Sequence, residues 1–213
     1  MTTTMGTEAE KPAFTIRVPP VWFEFDVWRA TRTGDLARLV DTRIAGDTRL
    51  SRFRAPLLKA LREAAEQAER QGAMICAAMM QPQEEAVLAA MLTVFHRADT
   101  PAETVEAIAA QITSTAPGEG SNSWRRVEIT STTAGSAVRV TGVEAVRFGD
   151  GSADCVTMQT LIPAPAGGVV NVVLTSPQIE LTESWLDLFD AISSTFAWSS
   201  ETGTTRKTET TEG

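Results

Sequence analysis

The chain has 213 residues, is 43% apolar, carries a net charge of -8 and contains two cysteines, so it can bury a full core without disulfides or a structural metal. Its acidic balance argues against a surface given over to nucleic acid or anionic lipid, and leaves room only for a local basic patch. No apolar run approaches the roughly 18 residues of a membrane span, and the first residues, MTTTMGTEAEKPA, lack the regions of a secretory signal, so a cytoplasmic location is expected.

Residues 1–12 are polar and rich in Thr and Glu, and residues 199–213 offer almost nothing to bury; both ends are expected to be disordered. Between them, residues 13–198 form one domain. Phe14 to Val18 alternates apolar and polar, Pro19-Pro20 interrupts, and Val21 to Trp28 resumes the extended pattern, which predicts an edge strand or a bend between two strands. A short helix capped by Asp35 turns Leu36, Leu39 and Val40 inward and ends at Gly46. A longer one follows from about Phe53 to Gln71, with Leu57, Leu58, Leu61, Ala64, Ala65 and Ala68 on one side, Pro56 tolerated in the first turn and Gly72 as the stop.

Ala73–Met80 and Ala86–His96 read as a β-hairpin around Gln81–Glu85, although their Ala and Met content admits a helix. Thr100-Pro101-Ala102-Glu103 has the form of a capping box and opens a helix whose inner face is Val105, Ile108, Ala109 and Ile112. Four strands follow at about 124–131, 137–147, 154–162 and 169–175, separated by turn sequences at a spacing that suits an antiparallel meander. In the third, Val156, Met158, Thr160 and Ile162 share one face. Val169–Leu174 is β-branched and bounded by Gly167-Gly168 and Ser176-Pro177, as expected of a central covered strand. Last comes a helix with Trp185, Leu188, Phe189, Ile192 and Phe196 at helical spacing, which must close one face of the sheet.

Two short signatures in this order of elements resemble the Mog1/PsbP-like group. Phe14-Thr-Ile-Arg-Val-Pro19 followed by Trp22 is similar to that group's opening strand, and Phe189 to Phe196 is similar to its closing helix. The resemblance covers most of residues 13–198 and implies an α/β/α sandwich around an antiparallel sheet, with binding rather than catalysis as the shared property. The two helices between Trp28 and Ala73 depart from the pattern. The fold class expected is therefore α+β, a largely antiparallel sheet with helices packed on its faces.

No catalytic, cofactor-binding or metal-binding motif emerges. His96 is the single histidine, so any nucleophile-histidine pair must be built on it and a multi-histidine metal site is excluded within one chain. Asp150 to Asp154 lacks the third acidic position and terminal glutamate of a calcium loop. Glu84-Glu85 reads as a solvated turn, and Cys76 and Cys155, with no CxxC partner, read as buried free thiols.

Charge is distributed unevenly. From Arg29 to Arg62 there are nine basic residues against three acids. Arg43, Arg49, Arg52, Arg54 and Lys59, with Trp22 and Trp28 on one face of the neighbouring strand, make up a candidate surface for a protein partner with an acidic face, and a solvated helix laced with ion pairs is the competing reading. The function expected is that of a non-catalytic binding or adaptor protein; the alternative is a carrier holding a small apolar ligand between the sheet and the C-terminal helix, near Met79, Met91 and Trp185.

Overall fold

A computed structural model describes residues 12–45, 50–83, 86–98, 104–115, 123–148 and 151–199. Seven strands form one antiparallel sheet. They are β2 (Trp22–Glu24), β3 (Ile75–Gln83), β4 (Ala86–Arg97), β8 (Val169–Ser176), β7 (Gly151–Pro163), β6 (Gly135–Phe148) and β5 (Trp124–Thr132), in that spatial order. Two further segments, β1 (Phe14–Thr15) and β9 (Ala197–Trp198), pair with each other alone. The fold is α+β, with helices on both faces of the large sheet.

Register decides which side chains meet. Leu92 lies opposite Leu174, and Leu174 lies opposite Met158. These residues and Ala90, Val94, Val156, Ile162, Val170 and Val172 form the apolar surface covered by α4 (Thr182–Ser193), through Trp185, Phe189 and Ile192. Beyond the helix, Phe196 is fully buried, stacked on Phe14 with ring centroids 4.9 Å apart and met edge-on by Trp198 at 5.0 Å. Removing an aromatic side chain of this size from water contributes about 1.5–3 kcal/mol. Arg139 on β6 pairs with Asp190 of α4, fixing the helix along the sheet.

The other face is covered in two separate parts. The helices α1 (Arg32–Ile44) and α2 (Arg54–Arg70) pack over β3 through Leu36, Val40, Leu58, Leu61, Ala65 and Ala68, against Cys76, Ala78 and Met80. At the far end α3 (Val105–Ser114) sets Ile108 against Val138, Val140 and Val169. Pro56 falls in the first turn of α2, where no backbone donor is lost. The stop is built by Gly72 at φ 76°, with Gly72 N–H donating to Glu69 and Ala73 N–H to Ala68.

Several boundaries differ from expectation. Helix α1 starts three residues before Asp35, which sits inside the first turn and accepts from the Thr31 hydroxyl at 2.9 Å. The cap of α3 is Thr104, whose Oγ1 accepts from Ala107 N; the Thr100–Glu103 box lies outside the described residues, as do Gly46, Glu84-Glu85 and Asp150. Of the two alternatives for residues 14–28, the bend between two strands is the one found: Phe14–Thr15 pairs with β9, the chain turns at the two prolines, and Trp22 joins β3.

Phe196→Ala should lower unfolding free energy by about 3–5 kcal/mol, read from urea denaturation. A loss under about 1 kcal/mol would contradict the role assigned to this ring.

Candidate functional site

The two patches of helix leave a gap between them. Side chains of the row Thr93, Val173 and Gln159 point away from α4, as the pairings Thr93 with Val173 and Val173 with Gln159 require. Met91, Thr175 and Thr157 form the next row on the same face. The result is an open groove of about 660 Å³, with Met91, Thr93, Phe95, Val173 and Thr175 as floor, α2 as one wall and Ala145 and Val146 at the far side. Its volume lies within the range of small-ligand sites.

The floor is mixed in chemistry. Phe95 and Val173 supply apolar surface, while Thr93 and Thr175 supply hydroxyls on strands otherwise made for burial. Nearby, the Asn171 amide donates to Gln159 Oε1 at 3.3 Å, and Asn171 Oδ1 is buried without a hydrogen-bond partner. The α2 wall contributes Glu63, Glu66, Gln67 and Arg70. Glu63 and Glu66 are held by Lys59 at 3.7 Å and Arg70 at 4.0 Å, and Arg70 also donates to Gln67 at 2.7 Å. The wall therefore presents polar groups with little net charge.

The proposed basic surface looks different once its partners are visible. Arg54 forms a two-point contact with Asp41, at 2.5 and 2.9 Å, and the hydrogen bond from Arg54 lowers the Asp41 carboxyl below its ordinary value. Asp35 is likewise lowered, chiefly by the Thr31 hydroxyl and further by Arg29 and Arg38. Arg32 joins Glu69 at 2.6 Å. Arg43 lies over the Phe23 ring at 5.8 Å and Arg52 over Phe53 at 4.8 Å. Arg49 lies outside the described residues. Much of the positive charge in this segment is thus matched locally by the acids of α1 and α2.

The two tryptophans do not share a face. Strand β2 ends at Glu24, so alternation stops before Trp28. Trp22 is buried in the core beneath α4, whereas Phe23 and Phe25 pack with the α1–α2 cluster. Trp28 is 57% exposed, its indole N–H donating to the Ala73 carbonyl at 3.0 Å. Of the methionine and tryptophan set expected to line a cavity, Met79 and Trp185 are buried in the α4 core and Met91 lies in the groove on the opposite face.

His96 and the two cysteines are built into the sheet. His96 Nε2 lies 3.3 Å from the Gly167 carbonyl, and a Cβ at Gly168 would come within 2.4 Å of the Arg97 carbonyl oxygen, so the strand-end histidine packs on the tight β7–β8 turn. Burial pushes the Cys76 thiol up to about 12, with a Thr93 hydrogen bond acting the other way, and burial pushes Cys155 up to about 11. Among the described residues no three His, Cys, Asp or Glu side chains cluster as metal ligands would, and no helix is long and apolar enough to cross a membrane.

No family model matches this sequence, and no curated protein matches it. A solved structure described as LpqN, involved in cell envelope biogenesis of Mycobacterium tuberculosis, is similar over 90% of this chain and 86% of its own, with a TM-score of 0.41 and 13% identity. A likeness at that level carries no argument about function.

Raised thiol values mean that both cysteines are almost wholly protonated at pH 8, and the thiolate is the reactive form. Ellman's reagent should therefore label neither in the native protein and both after denaturation; rapid native labelling at pH 8 would overturn the assignment of inert, buried thiols.

Proposed function

We propose that this chain is a non-catalytic binding protein whose ligand is a small amphipathic molecule held in the groove between α2 and strands β4 and β8. The observation that carries the reading is the groove's composition: an apolar floor of Met91, Phe95 and Val173 interrupted by the hydroxyls of Thr93 and Thr175. Hydroxyl groups set in apolar surface fix the orientation of a ligand whose body is apolar. The carrier reading thus moves to the opposite face from the one first expected, because the α4 face is filled by Trp185, Phe189 and Phe196. Membership of the Mog1/PsbP-like group is part of the same proposal. It is supported by the meeting of its two signature segments, Phe14 against Phe196. A cytoplasmic setting is proposed with it and suits two buried free thiols.

An environment-sensitive amphipathic dye such as anilinonaphthalene sulfonate tests the site. The native protein should bind it with enhanced fluorescence, and Val173→Trp, which fills the groove, should weaken binding by roughly tenfold or more with the circular dichroism spectrum unchanged. Undiminished binding by a folded V173W protein would remove the proposal.

A second reading keeps a protein partner with an acidic face and no nucleic acid. It is favoured by Trp28, a large aromatic left outside the core four residues before Arg32 opens α1, since exposed aromatic and arginine side chains dominate contact energies. Because the neighbouring cations are largely paired, apolar contact by Trp28 carries more of this reading than steering does. Affinity capture from native extract should then lose a specific partner on Trp28→Ala, while the melting temperature changes by no more than about 2 °C. Capture of the same partner by the W28A protein would sink this second reading.

A further inference from the structure

The two ends of the large sheet are not alike. At one end β2 is only three residues long. At the other, β5 presents nine residues in unbroken register with β6, from Trp124 opposite Val143 to Thr132 opposite Gly135. The Thr132–Gly135 pair closes a two-residue turn, and the pair that flanks such a turn is of the hydrogen-bonded kind. Alternation along an antiparallel ladder then directs the N–H and C=O groups of Arg126, Glu128 and Thr130 toward β6 and those of Val127, Ile129 and Ser131 outward. None of these last three takes a backbone hydrogen bond elsewhere among the described residues.

Outer strands of this length are normally blunted by proline, lysine, a bulge or a covering element. Residues 124–132 contain no proline, glycine or lysine, and their register has no bulge. Trp124 is 37% and Ile129 49% exposed. Arg126 and Glu128 are both exposed.

We propose that two copies of this protein associate through β5, antiparallel and centred on Val127, to make one continuous sheet. Charge selects that register. With the two-fold axis at Val127, Arg126 of each copy faces Glu128 of the other, in the wide pairs where side chains approach most closely. Moving the axis to residue 126 or 128 sets arginine against arginine or glutamate against glutamate. Helix α3 packs on Val138, Val140 and Val169, with Val127 of β5 partly buried against the same cluster, so α3 and its copy would lie on one face of the joined sheet, on either side of the axis. The groove over β4 and β8 stays open.

The test is sedimentation equilibrium on the purified full chain at concentrations up to the order of 100 µM. The wild type should have twice the chain mass. R126E alone and E128R alone each set like charges opposite one another and should raise the dissociation constant by roughly tenfold or more, whereas an equimolar mixture of the two should dimerise like the wild type. A monomeric wild type, which would leave the strand to a foreign chain, overturns the proposal. So does a dimer insensitive to both reversals, or a mixture that fails to recover.

Discussion

The architecture depends on the double-sided burial of β8. Six of the eight residues from Val169 to Ser176 are buried, and the half-buried pair, Val173 and Thr175, forms part of the groove floor; such a strand must lie mid-sheet, with cover on both faces. Its neighbours on either side, β4 and β7, continue the same requirement outward until apolar content falls at β2 and β5. The helices then divide the work by shape. Helix α4, with Trp185 and Phe189, closes one face alone, whereas the alanine-rich α2 and the short α3 sit at opposite ends of the other. The groove between them is a geometrical remainder of that division.

Much of this was legible in the residues. Leu36, Val40 and Leu61 at helical intervals, Gly72 at positive φ and the alternation of Val156, Met158 and Ile162 each report a local rule that tertiary structure obeys. The final helix and the central strand were readable for the same reason. Departures occur where a local signal had a competitor. Thr104 offers a cap four residues past Thr100, and its hydroxyl bonds the start of the α3 ladder. Phe14 is extended as its alternation predicts, but its partner, Trp198, comes from the other end of the domain, since strand identity is local and strand pairing is not.

The candidate site was far less legible. Counting arginines between residues 29 and 62 measures charge but not pairing: Arg54 is answered by Asp41, 13 residues away within that stretch, and Arg32 by Glu69, 37 residues away and beyond it. The groove had a fainter trace: Thr93, Thr157, Gln159, Asn171 and Thr175 interrupt strands otherwise built from apolar residues. Such interruptions signal either an internal network or a wet surface, and only cross-strand register brings them side by side. Arg126 and Glu128 are similar, ordinary as neighbours in sequence and complementary only under two-fold symmetry.

The β1–β9 pairing joins segments near the two ends of the folded chain. Besides the stacked rings, Thr195 Oγ1 accepts from Arg17 N across 178 residues, and Ser199 N–H donates to the Ala13 carbonyl. Closing so long a loop costs the unfolded chain entropy, although the cost grows only slowly with length, and the stacked rings and backbone hydrogen bonds of the clasp offset it. The entry and exit of the domain also lie side by side, so a short covalent bridge between them would permit new ends to be cut elsewhere. Circular permutants would turn this long-range contact of the native chain into a local one.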